Sequence, residues 1–229
     1  MGQFINLTSA DGFTLPTYVA QPTVKAKAAV VVIQEIFGVN AHIQAVAERF
    51  AAQGYLAIAP AMFERVTPAV NLGYESADMT AGMALKAAAT ALPGAGVLQD
   101  IQSAVNYAAE QTGGKVGVVG FCWGGLLTWQ AACTLSGITA AVPYYGGGMT
   151  EPEEIARQPG CKVMVHFAEL DHYIPMDGVH AFAAARREVA VHTYPADHGF
   201  NCDQRGSYNE AAATLARGRT LAFFAEQLA

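Results

Sequence analysis

At 229 residues, 52% of them hydrophobic, the chain carries enough apolar material for one sizeable core. A net charge of −6, with 13 Lys and Arg in no cluster, leaves no electrostatic footprint for nucleic acid. No stretch approaches the roughly eighteen unbroken apolar residues of a membrane span.

The N-terminal Met1-Gly2-Gln3-Phe4-Ile5-Asn6 lacks the basic and then apolar regions of a secretory signal, and Asn6 stands where myristoylation wants Ser or Thr. A cytoplasmic protein acting on a small molecule is expected. The cysteines Cys122, Cys133, Cys161 and Cys202 fall at no metal-type spacing in a chain too long to need disulfide staples, and all four read as reduced thiols.

In chain order, residues 3–7 and 13–20 flank the turn signal Ser9-Ala10-Asp11-Gly12 and read as an N-terminal hairpin capping one sheet edge. Ala28 to Gln34 is a continuous, β-branched apolar run, the mark of a strand buried on both faces of a parallel sheet. Glu35 ends it. Helical spacing over Ile43 to Gln53, a stop at Gly54 and a short strand from Tyr55 to Ala59 complete a β-α-β unit. Residues 61–96 hold two alanine-rich stretches broken at Asn71-Leu72-Gly73 and at Leu92-Pro93-Gly94-Ala95-Gly96, a pattern that fits a lid-like insertion or a surface helix pair equally well.

A helix over Val97 to Glu110 leads to a strand that runs into Cys122, and a second helix continues to about Ser136. Strands at Ala140 to Tyr145, Lys162 to Phe167 and Val189 to Tyr194, with helices near 176–187 and 207–227, finish the chain. Alternating strands and helices imply right-handed crossovers and a doubly wound sheet in a single domain, 1–229.

The segment Gly120-Phe121-Cys122-Trp123-Gly124 has the form of a nucleophile elbow. A turn from strand straight into helix strains its central residue, and glycines two places to either side give the neighbouring backbone room. The side chain at the tip is held at a helix N-terminus, where free N–H groups favour a thiolate and can hold an oxyanion. The bland alternative is a buried cysteine beside a strand end.

In open α/β sheets ligands sit past the carboxyl ends of the strands. Asp171 and His198 follow two later strands there, giving the order nucleophile, acid, histidine. Taken singly, Asp171 could be a turn residue and His198 a loop residue. Their neighbours Asp197 and His172 are rivals for the same roles. A metal set of Asp171, His172, His198 and Asp203 has no helical ligand spacing, so no metal is expected. His42, His166, His180 and His192 read as packing or surface residues. Glu35 is unusual, because a carboxylate ending a buried strand must be paired or protonated. The loop after it occupies the place of the second oxyanion donor, so the N–H groups of Ile36 and Trp123 are the candidates.

These residues together resemble the dienelactone hydrolases (carboxymethylenebutenolidases). The resemblance rests on Gln34-Glu35-Ile36-Phe37-Gly38-Val39-Asn40-Ala41, on Lys115 to Gly125, on Tyr144-Tyr145-Gly146, on Asp171 with Ile174-Pro175, and on His198 with Phe200. It implies an α/β-hydrolase fold, a Cys122-His198-Asp171 triad without cofactor, a Glu35 that interacts with the resting thiol, and opening of an enol-lactone through a thioester. Phe37, Tyr144 and Arg205 are the substrate-binding candidates. The sequence departs from the family in one respect. Two arginines hold the substrate carboxylate there, one of them four residues beyond the histidine, where this chain has Cys202. No Arg or Lys lies between Arg65 and Lys86, and Glu75 and Asp78 in that segment would oppose an anion, so only a weak preference for anionic lactones over neutral esters is expected unless Arg65 or Arg205 compensates. The expected protein is a monomer or homodimer acting on a small ester or lactone. The alternatives are a general carboxylesterase or thioesterase of the same fold, or a hydrolase-like binding protein.

Overall fold

The computed structural model describes residues 2–229, built on one eight-stranded sheet in the order β1-β2-β4-β3-β5-β6-β7-β8. β1 (Gln3–Thr8) and β2 (Thr14–Ala20) form the hairpin, with Leu7 opposite Leu15, and β2 lies antiparallel to β4 (Tyr55–Pro60). β3 (Ala28–Ile33), β5 (Val116–Phe121), β6 (Ile138–Tyr144), β7 (Lys162–Ala168) and β8 (Ala190–Tyr194) continue the sheet in parallel. Parallel neighbours need crossovers that leave one edge and re-enter the next strand, and these are supplied by helices on both faces.

Strand residues alternate between those faces. Val30 and Val32 belong to the apolar cluster that includes α1 (Ala41–Ala52) and the C-terminal α7 (Glu210–Gln227), while Val31 and Ile33 belong to the one that includes Ile101 and Val105 of α3 (Leu98–Thr112). β3 is buried at every position, as its unbroken apolar run requires. Cys122 borders both apolar clusters, at the carboxyl edge of the sheet's middle. No described helix is long and apolar enough to cross a membrane.

The ambiguous segment 61–96 is not a pair of helices. It holds a loop and one helix, α2 (Ser76–Thr90). The loop is tied down: Gly38 bridges Asn71, Leu72 N–H donates to the Phe37 carbonyl at 2.9 Å, and Asn40 donates to the Leu72 carbonyl at 3.1 Å. Gly38 takes φ +82 and lies so close to the Val70 carbonyl that no Cβ would fit. α2 rests on the same loop through Gly82, where a Cβ would collide with the Ile36 carbonyl. The remaining helices are α4 (Trp123–Thr134), the short α5 (Pro152–Ile155) and α6 (Met176–Ala185).

Candidate active site

β5 ends at Phe121 and α4 begins at Trp123, so Cys122 alone makes the turn, at φ 56 and ψ −118. For a residue with a Cβ this region is strained by roughly 1–3 kcal/mol, and the surroundings must enforce it. Two glycines let them do so. A Cβ on Gly120 would strike the Gly124 carbonyl and the Thr128 hydroxyl, and one on Gly124 would strike the carbonyls of Ile33 and Gln34 at the end of β3. Cys122 N–H donates to the Tyr144 carbonyl at 3.1 Å, and its own carbonyl accepts from Gly125 N–H at 2.9 Å. The backbone is fixed on three sides, and the thiol is left partly exposed.

Asp171 lies three residues past β7 and His198 four past β8. His198 Nδ1 and Asp171 Oδ2 are 2.7 Å apart, with both side chains buried, and the other Asp171 oxygen accepts from Tyr173 N–H at 2.8 Å. Burial by itself would lower the pKa of His198. A negative charge on Cys122 and the bond to Asp171 outweigh that penalty and raise it to about 10. The rivals are placed elsewhere: Asp197 accepts from the backbone N–H of His198 at 2.6 Å, and His172 is exposed. Asp203 bonds to His42 instead, so Asp171, His172, His198 and Asp203 form no metal set. The rings of Tyr145 and Tyr173 each lie 5.2 Å from the imidazole and restrict its tilt.

Glu35 is only 1% exposed, and its partner is Arg205, whose Nη1 donates to Glu35 Oε1 at 3.2 Å. The hydrogen-bond partner of Glu35 is thus Arg205, where the sequence pointed to an interaction with the resting thiol. A buried carboxylate needs a counter-charge, and the guanidinium supplies it where a thiol could offer only a weak donor. The second oxygen, Oε2, has no partner in the structure. Room for Arg205 comes from Gly199 at φ +81, where a Cβ would press on the guanidinium carbon at 2.8 Å.

Cys122 and His198 open into a cleft of about 130 Å³ walled by Ile36, Phe37, Trp123, Met79, Met83, Lys86, Tyr173 and Arg205. Phe37 packs edge-on against Tyr74 with centroids 4.6 Å apart, and Trp123 stacks on Phe63 at 4.9 Å, so both aromatic walls are backed by further rings. The N–H groups of Ile36 and Trp123 donate to no backbone or side-chain acceptor among the described residues.

Two candidates are displaced. Tyr144 is buried away from the cleft, with its hydroxyl 2.6 Å from Thr220 Oγ1, and it contributes only its carbonyl to the elbow. The kink at Tyr145, φ 35, sends the next ring toward His198 in its stead. Arg65 cannot compensate for a missing arginine. It is clamped by Asp100 at 2.7 and 2.8 Å and by Asp11 at 2.7 and 3.0 Å, and that guanidinium holds the Asp11 carboxyl at about 2.

Lys86, missed as a site residue, is a second cation in the cleft. Its only sequence signal was its place as the next positive charge after Arg65. Glu75 and Asp78 are occupied in the capping box of α2 and do not line the cleft.

A crossover sheet with a strained residue between its middle strand and the following helix, and with a bonded acid and histidine past later strands, is the arrangement of the α/β-hydrolase fold. A crystal structure from Klebsiella pneumoniae, provisionally named dienelactone hydrolase, superposes with a TM-score of 0.82 at 30% identity over 99% of this chain and 98% of that one. The Dienelactone hydrolase family model matches residues 15–228, and the chain belongs to that family. The carboxymethylenebutenolidase of Pseudomonas putida is 32% identical over 96% of this chain and 95% of its own length. A Synechocystis protein provisionally named carboxymethylenebutenolidase is 36% identical over 92% of this chain and 91% of its length. The chain is therefore a hydrolase acting on ester or lactone bonds.

Proposed function

We propose that the protein opens small anionic lactones, or cleaves esters of similar size, with Cys122 as nucleophile and no cofactor. The observation that carries this reading is the strained Cys122 facing a His198 whose Nδ1 is 2.7 Å from buried Asp171. The Cys122 thiolate attacks the ester carbonyl carbon, and the N–H groups of Ile36 and Trp123 hold the oxyanion. The C–O bond breaks, the leaving enolate takes its proton from His198, and a thioester remains. Water then attacks the thioester, His198 accepts its proton, and the thiolate departs. Asp171 keeps the imidazole in the required tautomer throughout. Lys86 and Arg205 receive a substrate carboxylate, in place of the paired arginines implied by the family resemblance.

A cleft of about 130 Å³ suits a small ring better than the long acyl chain of a thioesterase substrate. The test is a rapid acid quench during turnover of an enol-lactone, followed by intact-mass measurement. We expect a mass adduct on Cys122, and we expect hydrolysis to fall by at least about a thousandfold in a folded Cys122→Ala protein. Substantial turnover by that variant would remove the nucleophile assignment. Efficient cleavage of long-chain thioesters alone would favour the thioesterase reading.

A further inference from the structure

Behind the cleft, three buried side chains from distant parts of the chain converge. Glu35 comes from the end of β3, His42 from the first turn of α1 and Cys202 from the loop after β8. One ligand-type atom from each lies within 4.8 Å of the other two. All three residues are at most 1% exposed.

Two polar atoms of these residues have no partner. Glu35 Oε2 and His42 Nε2 are both buried and unbonded, although each residue's other polar atom is engaged. His42 Nδ1 faces Asp203 Oδ1 at 3.3 Å, and Arg49 holds the second Asp203 oxygen at 3.3 Å. A ring nitrogen donating to a carboxylate leaves the opposite nitrogen as a lone pair, the usual arrangement around a metal-ligating histidine. The cluster thus presents a carboxylate oxygen, an imidazole lone pair and a thiol, beside the Tyr74 hydroxyl, which is bonded to the Cys202 thiol. Leaving such groups unsatisfied costs roughly 1–3 kcal/mol each, more for a charge.

We infer that Glu35, His42 and Cys202 form a site for a thiophilic divalent cation of the zinc type. Oxygen, nitrogen and sulfur are the ligand atoms zinc takes, at about 2.0–2.3 Å, so tetrahedral ligands stand roughly 3.3–3.8 Å apart. Closing 4.8 Å to that spacing requires about 1 Å of side-chain movement. Binding breaks the S–H bond of Cys202 and releases the proton to solvent, and water completes the coordination. The new thiolate and Asp203 offset part of the charge that the ion adds beside Arg205. No ligand spacing marks this site, because its residues stand at positions 35, 42 and 202.

A metal held by Oε2 would fix Glu35 against Arg205 and slow turnover. That consequence rests on the proposed function, whereas metal binding does not. The test therefore has two arms. In the first, cobalt(II) is titrated into reduced Cys122→Ala protein, which removes the competing thiol of the cleft. We expect one equivalent to bind with a thiolate-to-cobalt charge-transfer band, and we expect the band to be lost in Cys122→Ala/Cys202→Ser. Affinity should weaken at least tenfold in Cys122→Ala/His42→Gln, which keeps every cysteine of its parent and guards against a misfolded serine variant. No stoichiometric band, or a band that survives Cys202→Ser, overturns the site. In the second arm, zinc should slow the wild-type enzyme at least tenfold, with recovery on chelation and little effect on Cys202→Ser. Inhibition that is equal in both proteins would place the ion on Cys122 and His198 and overturn the regulatory consequence alone.

Discussion

His198 is held at a pKa of about 10 although burial of an imidazolium works the other way, because negative charge on Cys122 and the bond to Asp171 favour the protonated ring. The folded chain therefore keeps a proton that the unfolded chain releases near pH 6.5. The resulting stabilisation is complete below that value and is lost as pH rises toward 10. In Cys122→Ala the Coulombic support disappears while the bond to Asp171 remains. The imidazole should then titrate at lower pH by proton NMR, and the slope of stability against pH between about 7 and 10 should flatten. Identical His198 titrations in the two proteins would mean that no thiolate faces the ring. Glu35 yields a second expectation at this scale. Replacing it with Gln leaves Arg205 without its counter-charge near the thiol, so iodoacetamide should alkylate Cys122 faster while turnover slows. Equal alkylation rates would show that the Glu35–Arg205 pair does not reach the nucleophile.

Among the elements, α2 decides what the cleft accepts. Only Gly82 and Ala89 of this helix are buried, so it is held by its contact with the Ile36 loop and by the capping box at its start. From that position it presents Met79, Met83 and Lys86 to the cleft, opposite Arg205. The sequence showed a helix former there but not its direction, because an alanine-rich helix has no apolar stripe strong enough to fix which face turns inward. Charge-assisted contacts contribute roughly 1.5–3 kcal/mol, and a half-exposed lysine falls at or below the low end of that range. With Arg205 added, an anionic lactone should be preferred over its methyl ester by at least about tenfold in kcat/KM. Lys86→Met should remove most of that preference, chiefly through KM, and leave turnover of the neutral ester unchanged. A preference that is absent in the wild type, or untouched in the variant, would place the carboxylate elsewhere.

Across the whole molecule, what could be read from the sequence was what adjacent residues decide. The elbow needs only Gly120, Cys122 and Gly124 in register, and the places of Asp171 and His198 follow from where β7 and β8 end. Side-chain partners set by the tertiary fold were not legible. Tyr144 and Tyr145 are neighbours at a strand end, and only the kink at Tyr145 settles which ring faces His198. Arg65 was an available cation for the cleft until the fold brought Asp11 and Asp100 to it. In the structure Arg65 joins three distant segments: the turn between β1 and β2 through Asp11, the loop after β4 that carries the arginine itself, and α3 through Asp100. Ser9 Oγ also donates to Asp100, a carboxylate that is 1% exposed and depends on these partners. The guanidinium covers the Phe13 ring as well, with its carbon 4.2 Å from the centroid. Removing one partner of a buried ion pair leaves the other charge uncompensated, at a cost of roughly 3–5 kcal/mol. Arg65→Met keeps much of the side-chain volume and deletes the charge. We therefore expect a loss of that order in urea unfolding, with kcat/KM for anionic and neutral substrates unchanged at temperatures where the variant stays folded. Loss of anionic turnover without loss of stability would return Arg65 to the substrate site.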